Sequence, residues 1–185
     1  EHQPDAVIVA TGSRPKACPV SGADGPDVFN VWEVLTGEAK LGQRVLLIDY
    51  DGHHQATATA EFLAELGKTV HIVTSSLFVG SELGPSQDLY LSRQRLLQKG
   101  VTFTPDFAVM EIEGIEVKGF NVYSNEWGTF TAHDSIVTAM GNDADEGLYF
   151  ALKGKVAELV RVGDCVAPRR VDMAIYEGYM AGKRV

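Results

Sequence analysis

A chain of 185 residues, 45% of them apolar, is long enough to bury a core in one or two small domains. Its formal charge of −9 at pH 7 argues against nucleic acid or an anionic membrane as partner, because either needs basic patches that release counterions. No apolar run reaches the roughly 18 residues that cross a bilayer, no basic-then-apolar leader opens the chain, and only Cys18 and Cys165 carry thiols, so a soluble, cytoplasmic protein is expected.

In chain order, Asp5-Ala6-Val7-Ile8-Val9 reads as a buried strand that ends at Gly12 and Pro15, and a loop rich in Pro, Gly and Asp follows to Pro26. Arg44 to Asp49 is a second strand. Ala56, Ala60, Leu63 and Ala64 recur at helical spacing before the stop at Gly67. Thr69 to Thr74 then completes a β-α-β unit that should be parallel and right-handed. A helix from about Gln87 to Lys99 ends at Gly100, and Val101-Thr102-Phe103 returns as a strand. Short alternating runs at Val109 to Ile112, Ile115 to Val117, Asn121 to Tyr123 and Thr129 to Thr131 suggest an antiparallel meander. Glu158 to Val162 is the last strand, and a small-residue helix covers Val171 to Gly182.

After the strand Arg44 to Asp49 a dinucleotide-binding turn would read Gly-x-Gly-x-x-Gly, with glycines that admit pyrophosphate close to the backbone. Asp49, Asp51 and His54 stand there instead, and Thr74-Ser75-Ser76 stands where an acidic residue would hold a ribose. The site therefore reads as degenerate for NAD(P)H, with Asp49 or Asp51 expected to cap the helix that follows. His53 and His54, adjacent at a helix start, point apart and hold no metal. His2, His71 and His133 read as a terminal, a strand and a surface residue, and Trp32 and Trp127 as packing aromatics. No nucleophile, base and acid are spaced as a catalytic constellation.

Two stretches carry the chemistry. Ala10-Thr11-Gly12 places small residues where a strand passes something bulky. Gly163-Asp164-Cys165-Val166-Ala167-Pro168-Arg169-Arg170 follows a strand, so Gly163 permits close approach and Asp164 can accept hydrogen bonds from sugar hydroxyls. The two arginines and the helix end at Val171 offer positive potential. Cys165 reads as a buried thiol inside that signature.

Together these stretches resemble flavin-binding signatures of the two-dinucleotide-domain, disulfide-reductase-like flavoproteins. With Asp49-Tyr50-Asp51-Gly52-His53, Ala60 to Ala64, Ile136 to Gly141 and Ala174 to Gly178, the chain is similar to the C-terminal region of the trimethylamine dehydrogenase and 2,4-dienoyl-CoA reductase-like NADH:flavin oxidoreductases. The resemblance implies an α/β fold: a Rossmann-like three-layer nucleotide-binding domain with a β-meander (29–141), inserted in a truncated FAD/NAD(P)-binding domain (1–28 and 142–185). It implies an FAD or ADP site contributed in part by Ala10, Thr11, Gly12, Gly163, Asp164, Cys165 and Val171. An oxidoreductase parent is expected, of amine dehydrogenase, N-demethylase or enoate reductase type, whose barrel holds FMN and a 4Fe-4S cluster. Two cysteines here could not hold that cluster. The chain starts without Met and reads as a fragment, inactive alone, whose partners are the remainder of its own polypeptide and an electron-transfer protein. Two alternatives stay open: a vestigial scaffold that binds no nucleotide, and an NAD(P)H domain with an unusual turn.

Overall fold

The structure, a computed structural model, describes residues 4–185, so His2 lies outside the described residues. Its strands and helices run β1 (Ala6–Val9), β2 (Ser13–Pro15), β3 (Val28–Asn30), α1 (Val31–Leu35), β4 (Arg44–Asp49), α2 (His54–Glu65), β5 (Thr69–Thr74), α3 (Leu89–Gln98), β6 (Thr102–Thr104), β7 (Phe107–Glu113), β8 (Glu116–Asn121), β9 (Trp127–Phe130), β10 (Ser135–Ala139), β11 (Asn142–Ala144), α4 (Gly147–Leu152), β12 (Glu158–Arg161) and α5 (Val171–Gly182). They divide into two compact units. The larger is Ala17–Met140; the smaller joins the residues up to Lys16 with Gly141–Val185.

The larger unit is built on a parallel sheet in the order β3-β10-β4-β5-β6. Side chains alternate across a strand, so consecutive apolar residues of β4 serve opposite layers. Val45 and Leu47 join Val70, Ile72 and Val137 beneath Ala56, Ala60, Leu63 and Leu96 of α2 and α3. Leu46 and Ile48 join Val73 and Ile136 against Phe107, Val109, Ile112 and Val117 of the meander β7-β8-β9. Because both faces are covered, the strands are continuous apolar runs rather than alternating ones. Three layers result: helices, parallel sheet, meander.

Several expectations shift. Residues 17–28 lie with the larger unit, because Val28 pairs with Ile136 on β10 and the Ile112 N–H donates to the Ser21 carbonyl at 2.8 Å. Asn121 ends β8 and Val122 to Ser124 form a turn rather than a strand, the amides of Tyr123 and Ser124 held by the Asn121 side chain at 3.0 Å. His133 is 4% exposed, not a surface residue, and Trp127, 66% exposed, meets Phe120 in a tilted ring pair with centroids 5.6 Å apart. Trp32 is 40% exposed.

In the smaller unit β1 and β12 form a two-stranded parallel sheet, with Val9 opposite Arg161. The short antiparallel pair β2 and β11 lies beside them in sequence, and α5 follows the loop after β12. Cys165 is fully buried, its thiol donating to the carbonyls of Val9 (3.2 Å) and Val162 (3.1 Å) and so joining the ends of both strands.

Candidate functional site

Parallel pairing brings the ends of β1 and β12 to one edge. The continuations Ala10-Thr11-Gly12 and Val162-Gly163-Asp164 leave side by side, with Val162 N–H donating to the Val9 carbonyl at 3.0 Å. Between them and the start of α5 is a cavity of about 380 Å³, lined by Ala10, Gly12, Val162, Gly163, Asp164, Arg169, Val171 and Ala174. Five of the seven residues marked from sequence therefore meet there. Thr11 instead donates its hydroxyl to the Asp145 carbonyl at 2.6 Å, and Cys165 is buried beneath rather than lining the cavity.

The loop after β12 is held from several sides. Gly163 has φ +69°, a left-handed conformation that turns the chain sharply as the strand ends, and a Cβ there would rest on that of Ala174 at 3.5 Å. Asp164 is aimed by weak contacts, its Oδ2 accepting from the Ser13 hydroxyl at 3.4 Å and Oδ1 from the Arg169 N–H at 3.3 Å. Carboxylate lone pairs remain for a ligand's hydroxyls. Glu177, two turns along α5, accepts from the Gly163 N–H at 2.7 Å and pairs with the Arg169 guanidinium. Those two contacts, the amide first, hold its carboxyl below the usual range.

The expected positive potential is largely balanced. Arg169 is paired with Glu177, Arg170 with Asp172 at 2.7 Å, and Arg14 with Asp145 at 3.0 Å. The first turn of α5 carries its own acid: N-cap Arg170 supplies no side-chain acceptor, but the Asp172 carboxylate lies against the Asp172 and Met173 amides, and the Met173 N–H also reaches the Arg170 carbonyl at 3.0 Å. Ser13, Ala174 and Glu177 were given no site role from sequence, although Ala174 to Gly178 carries part of the resemblance, since only the folded register brings them to the strand ends.

In the larger unit the β4–α2 turn is closed on itself. The N–H groups of Asp51 (3.1 Å) and Gly52 (2.8 Å) donate to Asp49 Oδ1. Asp49 thus closes the turn rather than capping α2, whose N-cap His53 makes no side-chain hydrogen bond. Asp49 is fully buried, its Oδ2 has no partner among the described residues, and burial raises its carboxyl to about 6 despite the two amides. From above, the segment after β5 presses on the turn: Glu82 N–H donates to the Gly52 carbonyl at 3.1 Å, and a Cβ on Gly52 would come within 2.5 Å of Ser81 Oγ. His53 turns to the Asp51 carbonyl (2.9 Å) and His54 to Asp88 (3.2 Å), so the two rings diverge.

No family model matches the chain. Among curated proteins it is 30% identical to a probable N-methylproline demethylase of Rhizobium meliloti, over 95% of this chain and 30% of that protein. It is 27% identical to a metal reductase of Desulforamulus reducens, over 94% of this chain and 29% of that one. The chain thus spans about a third of the length of these relatives. Among solved structures, 2-naphthoyl-CoA reductase superposes with a TM-score of 0.90 at 28% identity, over 98% of this chain and 27% of that one. Thioredoxin reductase of Lactococcus lactis matches in fold, with a TM-score of 0.73 at 22% identity over 97% of this chain and 64% of that one.

The fold is a mixed α/β arrangement on a parallel sheet, of the class seen in thioredoxin-reductase-like FAD/NAD(P)-binding domains. Within that class the chain is a relative of the C-terminal region of the trimethylamine dehydrogenase and 2,4-dienoyl-CoA reductase-like NADH:flavin oxidoreductases. Its relatives are dehydrogenases, demethylases and reductases, that is, oxidoreductases. No helix among the described residues is long and apolar enough to cross a membrane.

Proposed function

We propose that the smaller unit supplies part of the site for an FAD- or ADP-type nucleotide in a flavin-dependent oxidoreductase, and that the larger unit binds no NAD(P)H. The observation that carries the first half is the cavity uniting Ala10, Gly12, Gly163, Asp164 and Val171 at one sheet edge. Its chemistry suits such a group. Small residues leave room, and the Asp164 carboxylate can accept from sugar hydroxyls. At about 380 Å³ it fits one portion of a dinucleotide, with the rest held by other segments of a longer polypeptide. When bound, the flavin would supply the electron-transfer chemistry, while this chain would place it and tune its electrostatics.

The second half rests on the closed β4–α2 turn. The amides that would cradle a pyrophosphate already donate to Asp49, and Ser81 and Glu82 fill the approach. Asp51 adds a carboxylate beside that place. With hydride entry through this unit lost, an amine dehydrogenase or N-demethylase parent fits better than an enoate reductase fed by NADPH. FMN and a 4Fe-4S cluster belong, in this reading, to a barrel elsewhere in the polypeptide, and electrons leave to a protein acceptor in the cytoplasm. The chain alone would be inactive.

A scaffold that binds no nucleotide is the competing reading, favoured by the pairing of Arg169, which lines the cavity, with Glu177, and of Arg14 and Arg170 with carboxylates of the same unit. Denaturing the purified full-length polypeptide and chromatographing what is released decides between them. An adenine-containing nucleotide in near-equal ratio to protein supports the proposal, and its absence supports the scaffold.

A further inference from the structure

Glu177 makes two contacts that the nucleotide reading leaves unused. It does not line the cavity, yet its carboxylate grips both ends of the loop that carries Asp164. One oxygen accepts from the Gly163 N–H, where the loop begins, and the other pairs with the Arg169 guanidinium, where it finishes. Within the loop Val166 N–H returns to the Gly163 carbonyl at 2.9 Å, and Arg169 Nε to the Ala167 carbonyl at 3.1 Å. Asp164 itself is held only by contacts of 3.3 and 3.4 Å, at the weak end for hydrogen bonds. The strong fastening of its loop is therefore the charge-assisted pair at Glu177.

We infer that Glu177 is a positioning residue for the nucleotide site, a carboxylate clamp that fixes Gly163 and Arg169 so that Asp164 points at a sugar hydroxyl. The inference rests on the nucleotide reading above. It follows from geometry: the left-handed Gly163 needs its N–H held from one side for the next residue to face the cavity, and α5 offers one acceptor at that height. Glu177 serves three functions at once. It satisfies a half-buried amide, neutralises a cavity-lining arginine, and ties the loop to the helix that follows it.

The test uses the full-length polypeptide depleted of nucleotide, with FAD and ADP as probes, in four forms: Glu177→Ala, Glu177→Gln, Asp164→Ala and the Asp164→Ala, Glu177→Ala double variant. Glu177→Ala should weaken retention roughly tenfold or more and speed hydrogen exchange at the Gly163 amide. Glu177→Gln keeps an acceptor for that amide but turns an N–H2 toward Arg169, so it should restore the exchange protection and only part of the retention. The double variant should bind no more weakly than Asp164→Ala alone, since both act through one carboxylate. Losses that simply add, or Glu177→Ala binding like the parent, overturn the clamp. Unchanged Gly163 exchange overturns it even if no probe binds. A parent that binds neither probe, with Gly163 exchange altered as expected, overturns the nucleotide reading instead and leaves a loop clamp of purely structural use.

Discussion

Replacing Asp49 by Asn should change how stability depends on pH, in a direction set by burial. The folded carboxyl titrates at about 6 against an ordinary 3.8, because desolvation outweighs the two amide hydrogen bonds. A group whose pKa is raised on folding favours the folded state below its unfolded pKa and loses that contribution as pH rises through the folded value. From the two values the loss is about 3 kcal/mol in full, at about 1.4 kcal/mol per unit, of which about 2 kcal/mol falls between pH 4 and 7. Asn keeps a carbonyl oxygen for the Asp51 and Gly52 amides but cannot ionise. It also buries a new N–H2 where Oδ2 has no partner, a pH-independent cost of about 1 to 3 kcal/mol. The difference between parent and variant isolates the titration, and it cancels the neutral-range effect of His71 and His133, whose imidazoles burial holds below their ordinary range. Urea unfolding of both proteins at several pH values measures it. The variant should gain about 2 kcal/mol on the parent between pH 4 and 7. A difference flat with pH would show that Asp49 is ionised in both states and that its burial costs nothing.

Titration calorimetry at moderate salt should find negligible affinity for NADH and NADPH, because the turn amides are already engaged by Asp49; micromolar binding of either would restore the hydride-entry reading. Amide exchange should be slowest in β4 and β10, buried on both faces of a five-stranded sheet, and faster in β1, which pairs with β12 in a sheet of two. Protection in β1 equal to that in β10 would contradict the division into a well-packed larger unit and a sparse smaller one.

How much of this was readable in the residues depends on whether the signal was local. The strands β4 and β5, helix α2 with its stop at Gly67 and the whole of α5 announce themselves through period and punctuation. That both ends of the chain share one unit followed only through resemblance, since nothing local predicts that β1 pairs with β12. Helix α4 contributes no buried residue, so it leaves no apolar period to find. The strands β2 and β11 are three residues each, below the length at which alternation is visible. Residues 17–28 read as a loop of the flavin-type domain because Pro, Gly and Asp dominate up to Pro26, whereas tertiary contacts with β7 and β10 fix them to the larger unit. An isolated His133 carries no sign of burial, which comes from the packing of the connection between β9 and β10. Asp49 illustrates the opposite error: a carboxylate before a helix suggests a cap, but His53 takes that position and Asp49 closes the turn upstream. At the site, small residues and Asp164 were legible as chemistry. Glu177 was not, because its meaning lies in a contact 14 residues back with a loop whose shape the sequence leaves open.

In the proposed function Asp164 holds part of a nucleotide. Charge-assisted hydrogen bonds from sugar hydroxyls to this carboxylate are worth roughly 1.5 to 3 kcal/mol, or about tenfold to a hundredfold in affinity. The most direct measurement is the adenine nucleotide released on denaturing equal amounts of the full-length parent and its Asp164→Ala variant after dialysis. The parent should release nucleotide near stoichiometrically and the variant far less, with FMN content equal in both because that cofactor would sit in another domain. Equal adenine nucleotide in the two proteins, or none in either, would contradict the claim and leave the strand-end cavity as scaffold.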